Sequence, residues 1–293
     1  MAEATIPEID PNEVIDFMNV DQTDFGSFTL GQQIRHLEAE GYVVLPDMLD
    51  ADHIAKLKSE LADMPMRPKP YSEYLTTGAK QPQWFSRAVA ELIGHPPMIE
   101  FLTKLMGPDI VFTRGFFQRT NPGSPGISMH TDGQPFGSSI FNYEGSSPKM
   151  LRVLYYLDDL IPARAPFRLI PRSHLSYHAQ ANPYVRYKSH PEEITVCAKA
   201  GSALLIPINM FHATHPNTDS SPRELIQFGY RPAWAGPIQP MKEWDPELVA
   251  AAPEQAKPFF QSLNTTGGTW GLEHKPEGMT TEAPGINPSR WED

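Results

Sequence analysis

The chain has 293 residues, 40 % of them hydrophobic, and a formal net charge of −11. That acidic balance argues against nucleic acid or an anionic membrane as partner, and a single cysteine, Cys197, excludes an intrachain disulfide and suits a reducing compartment. There is neither a signal-peptide pattern nor an apolar run of roughly 18 residues, so the chain reads as a soluble, cytoplasmic protein of one large domain or two small ones.

Residues 1–26 hold seven acids and no Lys or Arg; residues 1–27 are taken as an acidic arm, on which Phe17, Met18 and Phe25 offer docking groups. Residues 29–40 show a helical stripe of Leu30, Ile34 and Leu37, and Gly41 is a stop. A short β-prone run follows at 42–45. Asp50 suits the cap of a second helix carrying Ile54, Leu57 and Leu61. Residues 64–83 are Pro-rich and read as a loop. Residues 87–106 are helical, interrupted at Gly94-His95-Pro96-Pro97 and ended by Gly107-Pro108.

From Asp109 the texture changes to strands, at 110–119, near His130, and at 151–157, 167–170, 193–198, 203–206 and 225–230. Asn121-Pro-Gly-Ser-Pro-Gly126 and Pro216-Asn-Thr-Asp-Ser-Ser-Pro222 are turn clusters. Short strands after a helical third predict an α+β protein with a β-barrel or jelly-roll core. Residues 28–261 are taken as one domain and 262–293 as a tail or lid.

His130-Thr131-Asp132 carries the chemistry. In a strand, residues two apart share a face. Two such side chains plus a histidine from elsewhere make the two-imidazole, one-carboxylate facial set that suits non-heme Fe(II) with open positions. Three His-x-acid triplets occur. His36-Leu37-Glu38 lies in a helical pattern, where residues two apart diverge, and His190-Pro191-Glu192 lies in a Pro-rich loop. Only His130-Thr131-Asp132 adjoins a strand and a turn. The third ligand has five candidates: His174, His178, His190, His212 and His215. His212 ends a strand before the 216–222 turn, and Arg223 starts the next strand; read as a hairpin, this makes the two near neighbours. Iron carries two positive charges and Asp132 removes one. A dicarboxylate co-substrate adds two negative charges, and Arg223 brings the sum to zero in a dry cavity.

With these residues in view, the chain resembles the phytanoyl-CoA dioxygenase family of Fe(II)/2-oxoglutarate oxygenases. The resemblance rests on Gly41-Tyr-Val-Val-Leu-Pro46, Phe116-Phe-Gln118, His130-Thr-Asp-Gly133, Pro166-Phe-Arg-Leu-Ile-Pro-Arg-Ser-His174, His212-Ala-Thr214, Pro222-Arg223 and Tyr230-Arg-Pro232, and spans roughly 28–235. It implies a double-stranded β-helix (jelly-roll, cupin-like) core with the N-terminal helices packed outside. It implies that Fe(II) is held by His130, Asp132 and His212, and that the distal carboxylate of 2-oxoglutarate is held by Arg223 and Thr214. Gln118 takes the position where the family often has Lys near the co-substrate, and Leu154 a position where it often has Trp. The implied reaction is O2-dependent oxidation of an unactivated C–H bond of a small organic substrate, releasing succinate and CO2. Asp132 argues for a hydroxylase-type enzyme and against a halogenase, which needs that ligand position open. Phe116, Phe136, Arg152, Tyr156 and Trp234 are candidate pocket residues. Strand alternation puts Arg152, Leu154 and Tyr156 on one face, and an arginine there suits an acidic group on the substrate. Two other readings compete: a Zn-dependent hydrolase or isomerase on the same barrel, and a non-catalytic binding protein of that fold. The substrate and the oligomeric state are not legible.

Overall fold

A computed structural model describes residues 18–132, 150–175, 189–237, 240–267 and 291–293. The helical third follows from agreeing local signals. Thr29 caps α1 (Leu30–Glu40): its hydroxyl accepts from the Gln32 amide while the Gln32 side chain accepts from the Thr29 amide, a capping box. Gly41 ends the helix in the left-handed region, φ 86°. β1 (Val43–Leu45) leads to α2 (Ala51–Leu61), where the Asp50 carboxylate accepts from the His53 amide at 2.8 Å. Two more helices, α3 (Arg87–Leu92) and α4 (Pro96–Met106), flank the break at Gly94-His95.

The Pro-rich stretch at 64–83 is not all loop. It holds β2 (Arg67–Pro68) and β3 (Thr76–Lys80). Thr76-Thr-Gly-Ala-Lys80 has weak intrinsic β preference. It is a strand because its backbone completes the ladder of β4 (Ile110–Thr120), with Gly78 opposite Gln118.

The remaining strands are β5 (Ile127–His130), β6 (Leu151–Tyr156), β7 (Phe167–Leu169), β8 (Ile194–Val196), β9 (Ala203–Pro207), β10 (His212–Thr214) and β11 (Arg223–Pro232). They form a seven-stranded sheet in the order β1-β9-β6-β11-β4-β3-β2 and a four-stranded sheet in the order β5-β10-β7-β8. The pairings are antiparallel, and from β4 onward the chain passes back and forth between the sheets, with β7 and β8 consecutive in the smaller one. This is a jelly-roll, or double-stranded β-helix, fold. The expected hairpin between His212 and Arg223 is not formed, because β10 and β11 belong to different sheets. The 215–222 turn carries the chain from one sheet to the other.

One face of the large sheet is covered by helices. Ile34, Leu37, Leu57, Leu61 and Phe101 from the helices and Val153, Tyr155, Ile226 and Phe228 from the strands form one buried cluster, and the Tyr230 hydroxyl donates to the Ile93 carbonyl at 2.9 Å. The other face carries the polar residues of the same strands. At one end, the two sheet crossings are fastened together by the fully buried Asn217. Its side-chain amide donates to the carbonyls of Thr120 (2.9 Å) and Ser221 (3.0 Å), and its backbone carbonyl accepts from Gly123 (2.8 Å).

Residues 18–27, assigned to the acidic arm, are docked on the domain: Val20 bridges Thr195, and Phe25 is buried. The start of the presumed tail is held too. Buried Arg231 donates to the carbonyls of Leu263 (3.1 Å) and Thr265 (3.0 Å), and the Trp291 indole donates to Glu38 on α1 at 2.5 Å. A short helix, α5 (Pro246–Ala251), not foreseen from sequence, is capped by Asp245. No helix among the described residues is long and apolar enough to cross a membrane.

Candidate active site

His130 ends β5 and His212 begins β10, and the two are direct partners across that ladder. Asp132 follows β5, its amide donating to the Ile208 carbonyl at 3.1 Å. One ligand atom from each of His130, Asp132 and His212 lies within 4.8 Å of the others. Each imidazole is oriented by its own strand: His130 Nδ1 lies 2.7 Å from the Ser128 carbonyl oxygen and His212 Nδ1 lies 2.8 Å from that of Met210. A carbonyl only accepts, so both Nδ1 atoms carry hydrogen and both Nε2 lone pairs are left for a ligand. Burial pulls the His212 imidazole down to about 3, with the neighbouring His130 adding to the effect, and burial also lowers that of His130. Burial pushes the Asp132 carboxyl up, but Arg152 first, and then the two histidines and Arg114, hold it below its ordinary value. Two neutral nitrogens and one carboxylate oxygen, converging, fit a divalent transition ion.

Arg223, at the start of β11, is fully buried. Its Nη2 donates to Thr120 Oγ1 at 2.8 Å, its Nη1 to the Ala165 carbonyl at 3.3 Å, and its guanidinium lies 5.7 Å from the Tyr156 ring centre. Gln118 Nε2 reaches the same Thr120 hydroxyl at 3.4 Å. Neither Arg223 nor Tyr156 pairs with a carboxylate in the salt bridges of the described residues. A buried cation held only by neutral acceptors is matched to an incoming anion. Thr214 is buried on β10, two residues from His212 and therefore on the same strand face.

Arg152 is inside the sandwich. It pairs with the Asp132 carboxylate, approaches His212 Nε2 at 3.4 Å through Nη1, and donates to Gln227 Oε1 at 2.8 Å through Nη2. Tyr156 lies against Arg223; burial raises its phenol to about 12, with Arg223 and Arg152 pulling the other way. Phe116 shares the Gln118 face, with the Lys69 ammonium 5.0 Å from its ring centre. Trp234, just past the end of β11, is 51 % exposed and outside this interior. Phe136 lies outside the described residues.

The sequence reading missed three residues here. Thr120 joins Gln118 to Arg223. Arg114 is electrostatically coupled to Arg152 and Asp132. Tyr71, half-exposed on the turn Pro70–Ser72, has its phenol raised by burial while Arg223 and Arg152 pull it down and Asp132 adds to the rise. Only the inward parity of β4 pointed to the first two, and the placement of the Pro-rich stretch near the entrance to the third.

A profile of the family described as "Phytanoyl-CoA dioxygenase (PhyH)" matches residues 37–225. The dioxygenase andF of Emericella variicolor is 22 % identical over 243 residues, covering 78 % of this chain and 82 % of that protein. Among solved structures, HygX from Streptomyces hygroscopicus with nickel and 2-oxoglutarate bound superposes with a TM-score of 0.60 at 17 % identity, covering 68 % of this chain and 86 % of that one. The α-ketoglutarate-dependent epimerase SnoN of nogalamycin biosynthesis gives 0.58 at 19 % identity, covering 70 % of this chain and 83 % of its own. The carbocyclase SnoK of the same biosynthesis gives 0.58 at 17 %, covering 73 % and 87 %. With the family profile covering well over half of its length, the chain belongs to the phytanoyl-CoA dioxygenase family.

Proposed function

We propose that the protein is an Fe(II)/2-oxoglutarate-dependent dioxygenase that oxidises an unactivated C–H bond of a small organic substrate, with hydroxylation as the reaction. The observation that carries this reading is the pairing of two features within one interior: the converging His130, Asp132 and His212 atoms, and a fully buried arginine, Arg223, held only by neutral groups. A Zn hydrolase gives the first a use but not the second. A passive binding protein needs neither histidine tautomer fixed. Relatives that bind 2-oxoglutarate include an epimerase and a carbocyclase; the intact carboxylate at Asp132 favours hydroxylation here over halogenation.

His130, Asp132 and His212 would hold the iron, and Arg223, with Thr214 on the facing sheet, would hold the distal carboxylate of 2-oxoglutarate. When bound, iron(II) and 2-oxoglutarate supply the oxidising power for O2 chemistry, the co-substrate leaving as succinate and CO2. The chain's own work is positional. The Ser128 and Met210 carbonyls keep the Nε2 lone pairs aimed inward. Thr120 fixes the guanidinium fork, which a lysine would lack. Tyr156 and Leu154, both buried, exclude water from the co-substrate side. Residues 28–261 form the catalytic unit in this reading, with the docked segment from residue 18 as part of it.

The test is a split between metal and co-substrate. Arg223→Ala should leave anaerobic Fe(II) binding intact and raise the apparent 2-oxoglutarate constant roughly 30-fold or more, because truncating one partner of a buried charged pair costs about 2–5 kcal/mol. Arg223→Lys should fall between. Unchanged 2-oxoglutarate affinity in a variant that still turns it over would place the co-substrate elsewhere. A substrate screen scored by succinate release then separates hydroxylation from the other outcomes.

A further inference from the structure

Beyond Arg223, the inner face of the large sheet carries two more arginines on a single rung. Gly229 on β11 is the direct partner of Arg114 on β4 and of Arg152 on β6. All three residues therefore share one face, and the middle one has no side chain. A Cβ on Gly229 would come within 2.8 Å of Arg114 Cγ, so the glycine is what lets the Arg114 stem lie over the strand. The same Cβ would meet Thr113 Oγ1 at 2.6 Å and Met150 Sδ at 2.8 Å, so the space directly over Gly229 is filled, and the two arginines stand on one face with strands about two spacings apart, on the order of 9–10 Å between backbones. Arg152 borders the His130–Asp132–His212 cluster through its contacts to Asp132 and His212. Arg114 is half-buried, and among the described residues no hydrogen bond or ion pair engages its guanidinium.

Among the described residues, the charges of this interior do not balance. Asp132 is the acid coupled to both Arg114 and Arg152. Asp158 and Glu224, nearest on the Arg223 side, are already matched by Lys58 and Arg119. Three arginines against one aspartate leave two positive charges. On the proposed function, iron adds two and 2-oxoglutarate removes two, so the surplus is the same whether or not the site is loaded. Uncompensated charge at this depth is costly, and two guanidiniums on one face, that of Arg114 without a partner among the described residues, suit an oxyanion.

We infer that the primary substrate carries an anionic oxygen group, a carboxylate or a phosphate, held by Arg114 and Arg152 on the inner face of the large sheet. The oxidised carbon then lies near that group, since Arg152 touches the ligand cluster itself. This deepens the proposed function and rests on it for the identity of the site.

The experiment titrates the protein, loaded anaerobically with Fe(II) and saturating 2-oxoglutarate so that Arg223 is engaged, with benzoate, phenyl phosphate and the neutral benzamide, by calorimetry. Benzoate or phenyl phosphate should bind at least tenfold tighter than benzamide; which of the two is preferred assigns carboxylate or phosphate. Arg114→Gln should abolish the preference. Arg114→Lys, which keeps the charge without the fork, should retain part of it and serves as the comparison if the Gln variant does not fold. Equal binding of benzoate, phenyl phosphate and benzamide, no binding of any of them, or a preference that survives Arg114→Gln would overturn the inference. If 2-oxoglutarate itself fails to bind the Fe(II)-loaded protein, it is the proposed function that fails. If it binds and the anion preference is absent, only this inference falls.

Discussion

The two faces of the large sheet are made from the same strands and obey opposite rules. Toward the helices, β6 presents Val153 and Tyr155 and β11 presents Ile226 and Phe228, in one continuous apolar cluster. Toward the small sheet, β6 presents Arg152 and Tyr156 and β11 presents Arg223 and Gln227, while β4 adds Arg114, Gln118 and Thr120. Both faces are buried, so the alternation does not separate core from solvent, as it does in most antiparallel sheets. It separates a face that stabilises from a face that binds. The helical layer therefore supplies the burial that the inner face forgoes, and the inner face is free to hold charge at a cost that ligands offset.

Four changes test that division, from the largest expected effect downward. Asp132→Ala removes the carboxylate from the candidate ligand set and should abolish Fe(II) binding, read by anaerobic metal titration, and should lower the thermal midpoint of the metal-free protein because buried Arg152 loses its carboxylate partner; retained metal affinity would contradict the ligand assignment. Phe228→Ala, on the helix side, should destabilise by about 3–5 kcal/mol in urea denaturation, the usual cost of emptying a buried aromatic site, with 2-oxoglutarate affinity little altered in the folded fraction.

Acid should act next. Burial pulls the His215 imidazole down to about 3, with Arg168 adding to the effect. Between that value and about 6.5 the unfolded chain takes up a proton at this residue that the folded chain does not. Stability from this group is therefore full above about 6.5 and is lost as pH falls, by up to about 2 kcal/mol between pH 6.5 and 5. Urea midpoints at pH 7 and pH 5 should converge in His215→Gln relative to the parent chain. The smallest effect belongs to Thr120→Val, which keeps the shape and removes the acceptor shared by Arg223 and Gln118. A lost buried hydrogen bond of about 1 kcal/mol should raise the 2-oxoglutarate constant roughly fivefold. No change would mean that the Ala165 carbonyl and the packing on Tyr156 position the arginine without the hydroxyl.

How far the sequence reached follows the same line. α1 was legible because Thr29, Gln32 and Gly41 encode its ends locally. His130 and Asp132 were legible because parity along a short strand is also local. β3 was not, since its five residues become a strand only through β4, some forty positions away. His212 and Arg223 were joined by an argument with the wrong geometry: a hairpin was inferred where the chain changes sheets. They still face one interior, because each starts a strand on the inward parity of its own sheet. Arg114 and Thr120 escaped notice because their partners lie on β6 and β11, and a single residue in an alternating strand gives no sign of what will stand across from it.

Asn217 gives the sandwich a fixed end. Its side-chain amide, backbone amide and backbone carbonyl tie the β10–β11 crossing to the β4–β5 crossing through Thr120, Ser124 and Gly123, and the side-chain amide also holds Ser221 on its own crossing. The two sheets are thus riveted where Arg223 sits, and among the described residues the Asp132 amide and the Ile208 carbonyl add a tie between crossings at the other end. On the proposed function, that rivet holds the co-substrate end of the sandwich at a fixed spacing, with Arg223 on one sheet and Thr214 on the other.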